Sequence, residues 1–110
     1  MIIENTQGIT QIIYKTKTKN YCPIGKDWYT SNIQAQIVPD KTIPDYIDLD
    51  KFVAEQISQK EMIIENVIDA LYSHISTEYA PKSLIVEIKV DDATHSEVIV
   101  TKGGAPNEKQ

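Results

Sequence analysis

The chain contains no arginine. All 11 of its cationic residues are lysines, scattered through 110 residues whose net charge is −5. With no basic stripe to neutralise a phosphate backbone, binding of nucleic acid through charge is not expected. Cysteine occurs once, at Cys22, which rules out an intramolecular disulfide framework and makes a free thiol in a reducing compartment the natural expectation. No apolar run approaches the roughly 18 residues that a membrane span requires. The opening MIIENTQGIT has neither the basic n-region nor the long apolar h-region of a signal peptide. These absences lead to the expectation of a cytoplasmic protein with no membrane partner. No internal repeat or low-complexity segment is evident either. At 41% hydrophobic and 25% charged residues, the chain suits one compact domain with a real core, expected over residues 1–102. The ending GGAPNEKQ, residues 103–110, has the composition of a frayed tail.

What is present reads as alternating short elements. Between Ile9 and Lys19, ITQIIYKTKTK is rich in β-branched residues and closes in a Thr/Lys alternation, the pattern of a strand with one wet face. Ile33, Ala35 and Ile37 alternate with Gln34 and Gln36 before Val38-Pro39-Asp40, so a second strand pairs back on the first. Pro39 and Pro44 break the pattern, and Asp48 is placed to cap a short helix carrying Leu49, Phe52, Val53 and Ile57. Ser58 to Glu61, SQKE, has capping-box form. Behind it Ile64, Val67, Ile68, Leu71, Tyr72 and Ile75 make one helical stripe, which should end near Tyr79, before Pro81. Leu84, Val86, Ile88 and Val90 then alternate with charged residues, and after DDATH, Val98 and Val100 begin a closing strand. The order β-β-α-α-β-β predicts an α+β fold, a four-stranded antiparallel sheet with two helices on one face. Such a small sheet has two exposed edges, and closing several copies into a ring would protect them, so a homo-oligomer is expected.

The stretch NYCPIGKDWY holds the only cysteine and the only tryptophan beside a Pro and a Gly. From the residues alone two readings of Cys22 stay open: a nucleophile in a loop, or a small buried hydrophobe. Trp28 and Tyr29 could stack on a flat heterocycle or fill the core. Asp91, Asp92 and Glu97 read as an acidic lip or a solvated turn, His95 as an acid serving a neighbouring subunit, and His74 points to no role.

The element order, with CP in the first hairpin, IVPDKTIP after the second strand and KEMIIENVIDAL on the long helix, resembles the tunnelling-fold superfamily over residues 9–104. Its members include GTP cyclohydrolase I, pyruvoyl-tetrahydropterin synthase and the nitrile reductases of queuosine biosynthesis. The resemblance implies barrels of subunits with sites between them, and a glutamate holding the aminopyrimidine edge of a purine-like or pterin-like small molecule. The matching position here is Glu61, whose other reading is a capping-box residue. An ionised carboxylate accepts both adjacent N–H donors of such a ring. The cyclohydrolase and pterin-synthase branches need a catalytic zinc, but the hairpin has no histidine and the chain only His74 and His95, so no metal is expected. The nitrile reductases and their amidinotransferase-like relatives use a cysteine in a CP…G…D loop. CPIGKD resembles a version two residues shorter, and the resemblance implies Cys22 as the nucleophile and Asp27 as the proton shuttle. Where the reductases carry their NADPH-contacting segment this chain has PDYIDLDK, acidic where phosphates need cations, and Lys60 replaces the reductases' histidine. No NADPH or other cofactor is therefore expected. The expected chemistry is amidinotransferase-like, on the nitrile of 7-cyano-7-deazaguanine (preQ0), with a modified tRNA as the one nucleic-acid substrate that the resemblance admits. The alternatives are an NADPH-dependent nitrile reductase and a zinc-free purine- or pterin-binding protein.

Overall fold

The computed structural model describes residues 2–92 and 96–104. The elements are β1 (Ile3–Glu4), β2 (Ile12–Cys22), β3 (Asp27–Val38), β4 (Thr42–Ile43), α1 (Tyr46–Phe52), a π-helical turn over Val53–Ile57, α2 (Ile64–Tyr79), β5 (Ser83–Val90) and β6 (Val98–Gly103). The main sheet is four-stranded and antiparallel in the order β2-β3-β5-β6, and β1 pairs with β4 as a small separate ribbon. The expected α+β arrangement is the observed one. No helix among the described residues is long and apolar enough to cross a membrane.

Strand periodicity decides which face is covered. Side chains alternate across a sheet, and every odd position of β3 from Tyr29 to Ile37 is buried. In register with these are Tyr14 and Thr18 on β2 and Leu84, Val86 and Ile88 on β5, all buried. Against this face lie Val67, Ile68, Leu71 and Ile75 of α2 with Leu49, Val53 and Ile57, so the helical stripe read from the sequence is the buried one. Burying each such aliphatic side chain contributes about 1.5–3 kcal/mol. Helix α2 ends at Tyr79, where Ala80 takes a left-handed conformation with φ 42° and returns its N–H to the Ser76 carbonyl. Lys102 reaches from β6 to Asp69 on α2 at 3.3 Å. One close approach depends on glycine: Gly103 has φ +99°, and a Cβ there would come within 2.1 Å of the Leu84 carbonyl oxygen and 2.9 Å of the Tyr72 ring.

Several boundaries differ from the sequence reading. Strand β2 starts at Ile12 rather than Ile9, α1 stops at Phe52 with a π-helical turn carrying Val53 and Ile57, and Gly103 belongs to β6. Three further differences bear on the hairpin and the helices. First, Asp45 rather than Asp48 caps α1, its carboxylate accepting from the Ile47 and Asp48 amides. Asp48 instead accepts from the Tyr79 hydroxyl at 2.6 Å and lies 2.9 Å from His74 Nε2, which holds its carboxyl below the ordinary range. His74 also stacks on Phe52, ring centroids 3.9 Å apart. Second, SQKE is not a capping box. Ser58 is extended, Gln59 is left-handed with φ 65°, and α2 starts only at Ile64, with Ile63 at its cap and no side-chain capping bond. The edge of β2 has taken the backbone groups of this segment: Gln59 N–H donates to the Lys19 carbonyl, Tyr21 N–H to that of Lys60, and Met62 N–H to that of Tyr21. Third, the β2–β3 hairpin zips further than Lys19, through Cys22 and Asp27.

Candidate active site

The tip of that hairpin sets where Cys22 and Asp27 stand. Pro23 to Lys26 form the turn, and the Lys26 N–H closes it by donating to the Cys22 carbonyl at 2.7 Å. Lys26 adopts φ 56° to do so, a left-handed conformation that lysine enters only when the turn demands it. The consequence is that Cys22 and Asp27 are the last ladder partners of β2 and β3. Cross-strand partners put their Cβ atoms about 4.5–5.5 Å apart on one face. The Gly25 N–H donates to Cys22 Sγ at 3.4 Å. Asp27 Oδ1 accepts from the Trp28 N–H at 2.8 Å.

Both side chains line a cavity of about 360 Å³. Cys22, Asp27 and Glu65 are among the residues that line it. Trp28 and Tyr29 contribute flat apolar surface, and Ile63, Ile64, Val90 and Val98 supply aliphatic walls. Cys22 is half-buried, between core and opening. The burial of Tyr29, followed by the nearby Cys22 and Glu65, pushes its phenol up to about 12. Ile63 caps α2 and Ile64 and Glu65 are its first residues, so the positive end of that helix borders the cavity. No lysine lines it. A cavity with two carboxylates, one thiol and aromatic walls suits a flat, hydrogen-bond-donating heterocycle and opposes a phosphate.

Of the residues singled out from sequence, Cys22 and Asp27 come together here with Trp28 and Tyr29. Glu61 does not line the cavity: it is exposed and bridges Tyr21 on the edge of β2. Glu65 lines the cavity instead, four positions on, within the same KEMIIENVIDAL segment. The signal that could have found it is helical phase, because Glu65 begins the first turn and borders the buried stripe at Val67 and Ile68. Asp91, Asp92, Glu97 and His74 do not line the cavity. Asp92 accepts from the Thr30 N–H, which lowers its pKa, and Glu97 pairs with Lys89 at 3.4 Å. His95 lies outside the described residues. Among the described residues no group of histidine, cysteine and carboxylate side chains is arranged to hold a metal ion.

Comparison with solved structures identifies the architecture. The apo crystal structure of an archaeosine synthase QueF-Like superposes with a TM-score of 0.73 over 89% of this chain and 98% of that one, at 20% identity. A dihydroneopterin aldolase (FolB) structure, described as putative, from Vibrio cholerae O1 biovar El Tor str. N16961, superposes with a TM-score of 0.64 over 86% of this chain and 97% of that one, at 13% identity. The chain therefore has the tunnelling fold. No protein-family model matches the sequence, and no curated protein matches it.

Proposed function

We propose that this protein binds the 7-deazaguanine ring of preQ0, free or within a tRNA, and transforms its nitrile through a covalent bond to Cys22. One observation supports this above the rest: a thiol, a cross-strand carboxylate and a second carboxylate at a helix start share one cavity of ring-sized dimensions. Glu65 accepts the adjacent N–H donors of the aminopyrimidine edge and fixes the nitrile carbon against the sulfur. Cys22 forms the S–C bond, one π bond of the nitrile is broken, and the thiol proton passes through Asp27 to the nitrile nitrogen, leaving a thioimide. Ammonia then adds to the same carbon, the C–S bond breaks with its electron pair returning to sulfur, and an amidine leaves. No electrons are exchanged with an outside donor, so NADPH has no part in this scheme. Catalysis by a free thiol suits a reducing, cytoplasmic compartment, and copies of the chain would assemble through the open edges of the sheet.

Intact-mass spectrometry after mixing with 7-cyano-7-deazaguanine is the direct test. The expected result is an added mass equal to the nitrile, absent in Cys22→Ala; an unmodified wild-type mass overturns thiol chemistry. The likeness to a dihydroneopterin aldolase structure favours a second reading, in which the cavity holds a pterin-like or purine-like ring and Cys22 is inert. Under it, thermal stabilisation by such a ring persists in Cys22→Ala and disappears in Glu65→Gln.

A further inference from the structure

Asn20 and Tyr29 face each other as cross-strand partners, one same-face rung below Cys22 and Asp27 on the same hairpin. Both reach out of the sheet to the connector that precedes α2. The Asn20 amide, fully buried, donates to the carbonyls of Ile57 at 2.6 Å and Lys60 at 3.1 Å, and its oxygen accepts from the Thr18 hydroxyl at 2.9 Å. The Tyr29 hydroxyl donates to the Met62 carbonyl. Three carbonyls, one at the end of the π-helical turn and two on the connector, are thus held by a single pair of strand residues, and that connector delivers Glu65 to the cavity.

We infer that Asn20 and Tyr29 are positioning residues: together they set the distance between the Glu65 carboxylate and the Cys22 sulfur, and so decide how well a ring held by one is presented to the other. This role depends on Cys22 and Glu65 acting as proposed above. Neither residue exchanges a proton or an electron pair with the substrate. Their influence passes through the connector, and its effect is geometric. A displacement of about 1 Å between a clamp and a nucleophile is enough to slow a reaction substantially, on the order of a hundredfold.

The test compares two ways of modifying the same sulfur. Tyr29→Phe keeps the ring and its packing while removing only the hydroxyl that holds Met62. Tyr14→Phe is the matched control, since the Tyr14 hydroxyl also leaves the covered face of the sheet but donates to Asp50 on α1. For each, the rate of adduct formation with 7-cyano-7-deazaguanine is measured beside the rate of alkylation by iodoacetamide, which needs no ring clamp. In Tyr29→Phe the nitrile rate is expected to fall roughly 10- to 100-fold while alkylation stays within about twofold of wild type. In Tyr14→Phe neither rate changes by more than about twofold. A Tyr29→Phe nitrile rate no lower than that of Tyr14→Phe overturns the positioning role alone. So does a parallel fall of both rates in Tyr29→Phe, which would mean that the thiol itself has been disturbed. If the wild-type protein forms no adduct, the thioimide reading fails and the positioning role goes with it.

Discussion

Cys22 and Asp27 are opposed as the final rung of the β2–β3 ladder, with only Pro23, Ile24, Gly25 and Lys26 between them. The short loop therefore does not separate the two side chains: it fixes them, because backbone pairing and not loop length sets where they stand.

Replacing Asp27 by Asn removes the titratable oxygen yet keeps an acceptor for the Trp28 N–H. Adduct formation with the nitrile should slow by roughly 10²–10⁴-fold, the usual scale of a lost acid–base group, with iodoacetamide alkylation of Cys22 little changed. Rapid-quench mass spectrometry measures both, and an unslowed nitrile reaction would remove Asp27 from the proton path.

Two glutamates can be told apart directly. Glu65→Gln exchanges an acceptor-only carboxylate for an amide that presents a donor to the ring, and charge-assisted hydrogen bonds contribute about 1.5–3 kcal/mol each. Ring binding by calorimetry should weaken at least about tenfold. Glu61→Gln, exposed on the connector where it bridges Tyr21 of β2, should bind as the wild type does. The opposite pattern would return the clamp to Glu61.

Gly103→Ala tests the join between β6 and the core. A methyl group there meets the Leu84 carbonyl oxygen and the Tyr72 ring, and the φ of +99° is strained for any L side chain. Overpacking costs typically about 1–3 kcal/mol, so the urea midpoint should fall. A midpoint equal to wild type would show that β6 can shift without loss.

Alkaline pH should loosen the fold through its tyrosines. Burial raises the phenols of Tyr14, Tyr29 and Tyr79; neighbouring carboxylates add to the effect in all three, and Cys22 contributes at Tyr29. A group whose folded pKa is raised contributes stability that is complete below its unfolded value, about 10 for tyrosine, and that is lost as pH rises toward the folded value. Ultraviolet titration should show Tyr14, Tyr29 and Tyr79 ionising later than free tyrosine, with melting temperature declining across the same window. Six tyrosines titrating together would contradict this.

How much of this was legible in the residues depends on the range of the interactions. The α2 stripe and the alternation of β3 and β5 were readable because burial imprints a period on neighbours in the chain: Val67, Ile68, Leu71 and Ile75 share one side of a helix, and Ile33, Ala35 and Ile37 share one side of a sheet. Cys22 stood out because a Pro/Gly turn frames it, and Asp27 because CPIGKD resembles the CP…G…D loop of the nitrile reductases. The start of α2 was misread because Ser58 and Glu61 have the spacing of a capping box while the edge of β2 offers the connector other partners, and no local pattern records that competition. Glu65 lay hidden in plain helical sequence as one more acidic residue on a wet face. Asn20 gave no sign at all, since the carbonyls that justify burying its amide belong to Ile57 and Lys60.

The brace from the hairpin to the connector spans 33 residues at Tyr29 and 37 and 40 at Asn20. Such distant contacts form late, after the loop-closure entropy has been overcome, whereas β2 and β3 are sequence neighbours able to zip early. During synthesis Cys22 and Asp27 can therefore meet before Glu65 is brought beside them. The cavity is thus a milestone of completed maturation, and a half-made chain carries the rung of Cys22 and Asp27 without the wall that Glu65 supplies.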